Sequence, residues 1–218
     1  MGGASGGSDK VLKDLREAVL RCDPDGTVKA AKAAVKEGVD PLTAIEKGLA
    51  PAIKEVGERF ERMEVYLPEL MLAGEAMKSA LKLLLPLIPK QKKVSRATVV
   101  IGTVQGDVHE IGKNIVASLL MANGFEVVDL GVDVKTQAFV EEAKRSNARI
   151  IGASALMSST IGSQKDIIDY LSATGSRKKH AVLIGGGPTT EEWRKEICAD
   201  GWGRTAVDGV KLAGKFSR

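Results

Sequence analysis

The chain has 218 residues, 44% of them hydrophobic, with a mean hydropathy of −0.03, which suits a soluble globular protein of one large domain or two small ones. No run approaches the roughly 18 apolar residues of a membrane span. The first eight residues lack the basic and apolar stretches of a signal peptide, so residues 1–8 read as a flexible tip and the expected location is cytoplasmic. The net charge of +4 is spread among 28 acids with only 4% aromatic residues, which argues against a nucleic-acid partner, and Cys22 and Cys198 form neither a disulfide framework nor a thiolate metal site.

From Asp9 to Pro89 the apolar residues recur at helical spacing. Val11, Leu12, Leu15 and Val19 make one stripe, and Val28, Ala31, Ala34 and Val35 a second. Asp40-Pro41 is a cap followed by a first-turn proline, opening a third helix through Leu42, Ile45, Leu49, Ile53, Val56 and Phe60, with Pro51 a candidate kink. A fourth begins near Tyr66-Leu67-Pro68, carries Leu70, Met71, Met77, Leu81, Leu84 and Leu85, and stops at Pro86 and Pro89. Four helices with short connections predict an antiparallel bundle over residues 9–89.

Residues 90–96 are basic and poor in apolar side chains, as expected of a linker and hinge. Beyond it, over residues 97–218, the period changes. Short β-branched runs at Ala97 to Gly102, Phe125 to Leu130, Arg149 to Ala153 and Ala181 to Ile184 each precede a helical segment. A weak fifth strand near Trp202 precedes a helix from Ala206 to Phe216. This alternation predicts an α/β unit, a parallel sheet with helices on both faces.

One of only two histidines lies in Asp107-Val108-His109-Glu110-Ile111-Gly112, between the first strand and its helix. Ligands of open α/β sheets bind at that carboxyl edge. Taken alone, the motif also fits a loop histidine satisfied by a neighbouring carboxylate. Its company decides the reading: Ser154-Ala155-Leu156 and Gly185-Gly186 fall at the ends of two further strands.

The run from Gly102 to Val116, with those two motifs, resembles the cobalamin-binding domain shared by methionine synthase, the B12-dependent mutases and the corrinoid proteins of methyltransferase systems, its methyl-carrying branch above all. The resemblance covers nearly the whole chain from about Asp9. It implies a flavodoxin-like, Rossmann-like five-stranded sheet in the order 2-1-3-4-5 behind a helical cap. It also implies that His109 is the lower ligand of a corrinoid cobalt and that Asp107 fixes its tautomer. Thr160 would end the relay where the family has serine, and this relay would couple cobalt redox state to protonation. Ser154, Leu156 and Ser158 would line the buried nucleotide tail, with Gly106, Gly112, Gly185 and Gly186 admitting it closely. The stretch from Phe60 to Met71 resembles the cap segment over the upper face, with Tyr66, Leu67 and Met71 as cofactor contacts. Gln105, Met63 and Thr205 depart from the family pattern, which at these places favours an acid or lysine, a glycine and an aspartate.

The function implied is a methyl carrier without a catalytic residue of its own. It would take a methyl group from a substrate-specific methyltransferase to a second one acting on tetrahydrofolate or coenzyme M, with a reductive activation protein as third partner. The alternatives are a cobalamin-dependent sensor, which would need an output segment not seen here, a mutase small subunit, and a cofactor-free flavodoxin-like domain. The methyl donor is not legible in the sequence.

Overall fold

The structure, a computed structural model, describes residues 4–89 and 97–217. It divides at residue 89 into two compact units, and the expected linker, residues 90–96, lies outside the described residues. None of the helices among the described residues is long and apolar enough to cross a membrane.

The first unit is helical. Its first helix, α1 (Ala4–Leu20), starts within the stretch read as a flexible tip. Glycine costs about 1 kcal/mol per helical residue relative to alanine, a penalty a helix already nucleated downstream can absorb. Asp23 and Pro24 open α2 (Pro24–Lys36), the Asp23 carboxylate accepting from Gly26 N at 2.9 Å. Asp40 does the same for α3 (Pro41–Thr43), accepting from Thr43 N at 2.8 Å.

From there the chain runs without a break through a π-helical stretch (Ala44–Leu49) into α4 (Ala50–Glu61). The anticipated irregularity at Pro51 therefore takes the form of a wide turn just before it. Proline has no N–H to donate and crowds the carbonyl four residues back, and a π turn accommodates both. The fourth segment, α5 (Leu67–Leu84), is followed by a 3-10 turn at Leu85–Leu87 that holds Pro86.

The core of this unit is built of smaller residues than the stripes suggested. On α2 the buried face is Thr27, Ala30, Ala31 and Ala34, while Val35 is exposed. On α5 it is Ala73, Ala76, Met77, Ala80, Leu81 and Leu84. Alanine faces let α2 pack closely against both α1 and α5. The early part of α5 turns the other way, leaving Leu67, Met71 and Leu72 exposed.

The second unit contains β1 (Thr98–Thr103), α6 (Ile111–Ala122), β2 (Glu126–Asp129), α7 (Thr136–Arg145), β3 (Ile150–Ser154), α8 (Gly162–Ala173), β4 (Ala181–Gly185), α9 (Glu191–Glu196), β5 (Gly201–Gly203) and α10 (Ala206–Phe216). The strands form one parallel sheet in the order β2-β1-β3-β4-β5, the expected one. Phe139, Val140, Ile167, Leu171 and Trp193 pack from α7, α8 and α9 with Val100, Ile151 and Val182 of the strands. Leu120, Val116, Ala213 and Phe216 from α6 and α10 form a separate cluster with Val99 and Ile150. The register sets Thr103 beside Ser154 and Ser154 beside Gly185, so three strand ends finish level.

One departure from the family pattern has a local reason, and at a second the backbone still favours the family's residue. Thr205 caps α10, its hydroxyl accepting from Asp208 N and its own N–H donating to the Asp208 carboxylate, both at 3.1 Å; threonine and aspartate serve equally there. Met63 has φ 59°, left-handed backbone that glycine adopts without strain.

Two stability measurements test this packing. A Cβ on Gly102 would lie 2.8 Å from the Phe139 ring, so Gly102→Ala should lose about 1–3 kcal/mol in urea unfolding. Met63 is 83% exposed, so Met63→Gly should gain about 1 kcal/mol by relieving φ without losing buried area.

Candidate functional site

Strand order reverses between β2-β1 and β3-β4-β5, and the connections after β1 and β3 meet at this switch point. Residues 104–110 leave β1 as an irregular loop held by its neighbours. Val104 N donates to Ser154 O at 2.9 Å, and the buried Thr103 hydroxyl donates to His109 O at 2.8 Å. The loop then enters α6 directly, so the orientation of His109 is tied to a strand on one side and a helix on the other.

At the centre is the fully buried carboxylate of Asp107. Its Oδ1 accepts from His109 N at 3.0 Å and lies 2.7 Å from His109 Nδ1. Its Oδ2 accepts from Leu156 N at 2.7 Å, Met157 N at 3.3 Å and Thr160 Oγ1 at 2.9 Å. Burial pushes the Asp107 carboxyl up, but the hydrogen bonds from the His109 and Leu156 amides, the His109 ring and Thr160 outweigh it and bring it down to about 2. The carboxylate is therefore an acceptor only, and Nδ1 must carry the hydrogen between them.

That assignment leaves the lone pair of a neutral imidazole on Nε2. Nε2 has no hydrogen-bond partner among the described residues, and the side chain is 46% exposed. A basic nitrogen facing outward with its ring fixed from behind by a carboxylate is how proteins present histidine to metals. Among the described residues no cluster of three or more His, Cys, Asp or Glu side chains accompanies it. A lone imidazole suits a metal that arrives with its other ligands in a macrocycle.

The remaining residues singled out in the second unit gather around this point. Thr160 keeps the relay bond despite its extra methyl, which lies beneath Gly106, 3.5 Å from where a Cβ would stand. Leu156 acts through its amide on Asp107, and its side chain is half exposed. Ser154 ends β3 and Ser158 is exposed in the turn beyond. A Cβ on Gly112 would enter open space, leaving backbone accessible. Gly186 answers to the protein itself: with φ 128°, a Cβ would fall 1.7 Å from Ala155 O. Gly185 makes only ordinary contact with β5. Tyr66, Leu67 and Met71 belong to the helical unit, where all three are exposed.

Several residues that build the site gave no sequence signal. Gln164 is fully buried and donates through Nε2 to Ala153 O at 3.0 Å and Gly185 O at 3.1 Å, tying the ends of β3 and β4. Asp133 accepts from Gly106 N, and Lys113 is buried against Asp129. These are polar residues inside or beside helical and strand patterns; burial distinguishes Gln164 and Lys113 from surface, and only their partners distinguish the exposed Asp129 and Asp133.

Asp107 supplies a test with a definite sign. Its folded value is depressed, so the stability it contributes is present above pH 3.8 and lost as pH falls through about 2. The gap corresponds to roughly 2 kcal/mol. Asp107→Asn turns an NH2 toward donors, and urea unfolding should show it about 2 kcal/mol less stable than wild type at pH 7, the difference shrinking toward pH 2.

Comparison with known proteins identifies the family. Residues 97–211 match the B12 binding domain family, and residues 11–85 match a second family of the same description. Dimethylamine corrinoid protein 1 of Methanosarcina acetivorans is 43% identical over 206 residues, covering 94% of this chain and 96% of its own. The monomethylamine corrinoid protein of Methanosarcina barkeri has a solved structure that superposes with a TM-score of 0.89 at 38% identity, covering 95% of this chain and 98% of that one. The methanol:cobalamin methyltransferase complex of the same organism contains a chain matched at 29% identity and a TM-score of 0.54, over 96% of this chain and 80% of that one. These matches show that the chain belongs to the B12-binding corrinoid proteins of methyltransferase systems.

Proposed function

We propose that this chain carries a methyl group between a substrate-specific methyltransferase and a second methyltransferase that acts on tetrahydrofolate or coenzyme M. The observation that carries the reading is the His109–Asp107–Thr160 arrangement, which offers Nε2 outward while holding Nδ1 at 2.7 Å from a buried carboxylate. Bound there, a corrinoid would supply the cobalt that accepts and releases the methyl group. His109 Nε2 would hold the metal, and Asp107 would keep the proton on Nδ1. The Thr160 hydroxyl, donating to Asp107, would keep that carboxylate in place behind the ring.

Ser154, Leu156 and Ser158, at the edge where β1, β3 and β4 end, would line the nucleotide tail, and Gly106, Gly112, Gly185 and Gly186 would give it room. The exposed Tyr66, Leu67 and Met71 would cover the upper face and exclude water. Apolar side chains held at the surface of a small helical unit have no packing role there, which supports this assignment.

Relatives named for dimethylamine and monomethylamine favour a methylamine methyltransferase on the donor side. The methanol:cobalamin methyltransferase complex supports direct assembly with such an enzyme. A reductive activation protein would restore carrier oxidised by accident, and a cytoplasmic location would suit these partners.

The test is the electron paramagnetic resonance spectrum of the Co(II) state, recorded on 15N-labelled protein reconstituted with cobalamin and freed of excess cofactor. The nitrogen splitting should change from three lines to two on labelling and should disappear in His109→Ala. Retention of cofactor with no isotope effect would remove His109 as the ligand.

A further inference from the structure

The His109 loop is gripped from both sides of β1. On the other flank, the connection from β2 to α7 makes its own contacts. Asp133 Oδ1 accepts from Gly106 N at 2.7 Å, and Asp133 N donates to Asp107 O at 2.9 Å. Gly131 O accepts from Thr103 N and Val134 N donates to Thr103 O, both at 3.0 Å. At the far end of the loop, Lys113 Nζ lies 2.5 Å from Asp129 Oδ2 and 2.7 Å from Asn114 Oδ1.

Neither grip is what folding alone would select. Lys113 is the third residue of α6 and only 3% exposed. A cation there opposes the positive end of the helix dipole and gives up its hydration, so Asp129 must compensate on both counts. Asp133 has φ 52°, left-handed backbone that is strained for a residue with a Cβ. Unfavourable choices on both sides of one loop, each spent on fixing that loop, mark positioning rather than bulk stability.

We infer that Asp133 and the Lys113–Asp129 pair are positioning residues that hold the His109 loop in its metal-ligating conformation, clamping it from the β2 side as Leu156, Met157 and Thr160 do from the β3 side. The inference rests on the reading of His109 as the cobalt ligand. Asp133 fixes the start of the loop at Gly106 and the Asp107 backbone. Lys113 fixes its exit into α6, so the imidazole has little freedom to leave the line of approach of the metal.

Three variants of the full chain test it. Asp133→Gly removes the acceptor and relieves φ, Asp133→Asn keeps an acceptor oxygen for Gly106 N–H, and Lys113→Met keeps side-chain length without charge. Each is 15N-labelled and reconstituted with cobalamin, and the fraction of Co(II) signal split into two lines is read beside cofactor affinity. Urea unfolding of the cofactor-free protein runs in parallel. Asp133→Gly and Lys113→Met should each lose much of the two-line signal and bind cobalamin about tenfold more weakly, the loss expected for one charged hydrogen bond. Asp133→Asn should restore both, which a general loss of stability would not do. Full two-line signal and wild-type affinity in Asp133→Gly and Lys113→Met would overturn the inference while leaving His109 as ligand, and so would a loss shared by Asp133→Asn. A wild-type protein without the two-line signal would overturn the ligand reading and the inference with it.

Discussion

The buried carboxylate of Asp107 is the constraint around which the cofactor unit is arranged. An anion removed from water is tolerated only when donors replace its hydration. Here they come from three places in the chain: the His109 amide and ring, the Leu156 and Met157 amides, and the Thr160 hydroxyl. Meeting the needs of one anion therefore fixes the loop after β1 against the loop after β3 and sets the tautomer of the histidine. Satisfaction of the charge and presentation of Nε2 are the same event.

The parallel sheet makes this possible. Level strand ends at Thr103, Ser154 and Gly185 bring three connections to one edge, and Gln164 ties two of those ends together from beneath. Backbone closeness sets a further limit. Gly186 passes so near Ala155 O that no side chain is possible there, which draws the connection after β4 against the one after β3. A glycine that looked like an allowance for the cofactor is in the first place an allowance for the protein.

The helical unit follows a different rule. Its core is made by alanine faces and a few large side chains, while Met63, Tyr66, Leu67, Met71 and Leu72 are left outside. Concentrating apolar side chains on one short stretch, instead of spending them on the core, leaves an exposed apolar patch that the packing of this unit does not use. The same stretch contains Met63 in left-handed backbone, a strain that tight packing of the unit does not require.

The strand and helix segments were legible in the sequence because each leaves a local mark, such as β-branched runs or Asp-Pro caps, whereas the strand order and the grouping of Asp107, His109 and Thr160 followed from the family resemblance. The sequence did not show which face of α2 is buried, that Pro51 follows a π turn, or that Leu156 serves through its amide. Nor did it mark Gln164 and Lys113 as internal, since a polar residue in an amphipathic pattern reads as solvent-facing, or Asp129 and Asp133 as their neighbours' partners. Local pattern determined which elements form and which residues could ligate. Only the tertiary structure decided which polar groups are desolvated together, because desolvation depends on neighbours distant in sequence, and Asp107 finds three of its donors 49 to 53 residues away.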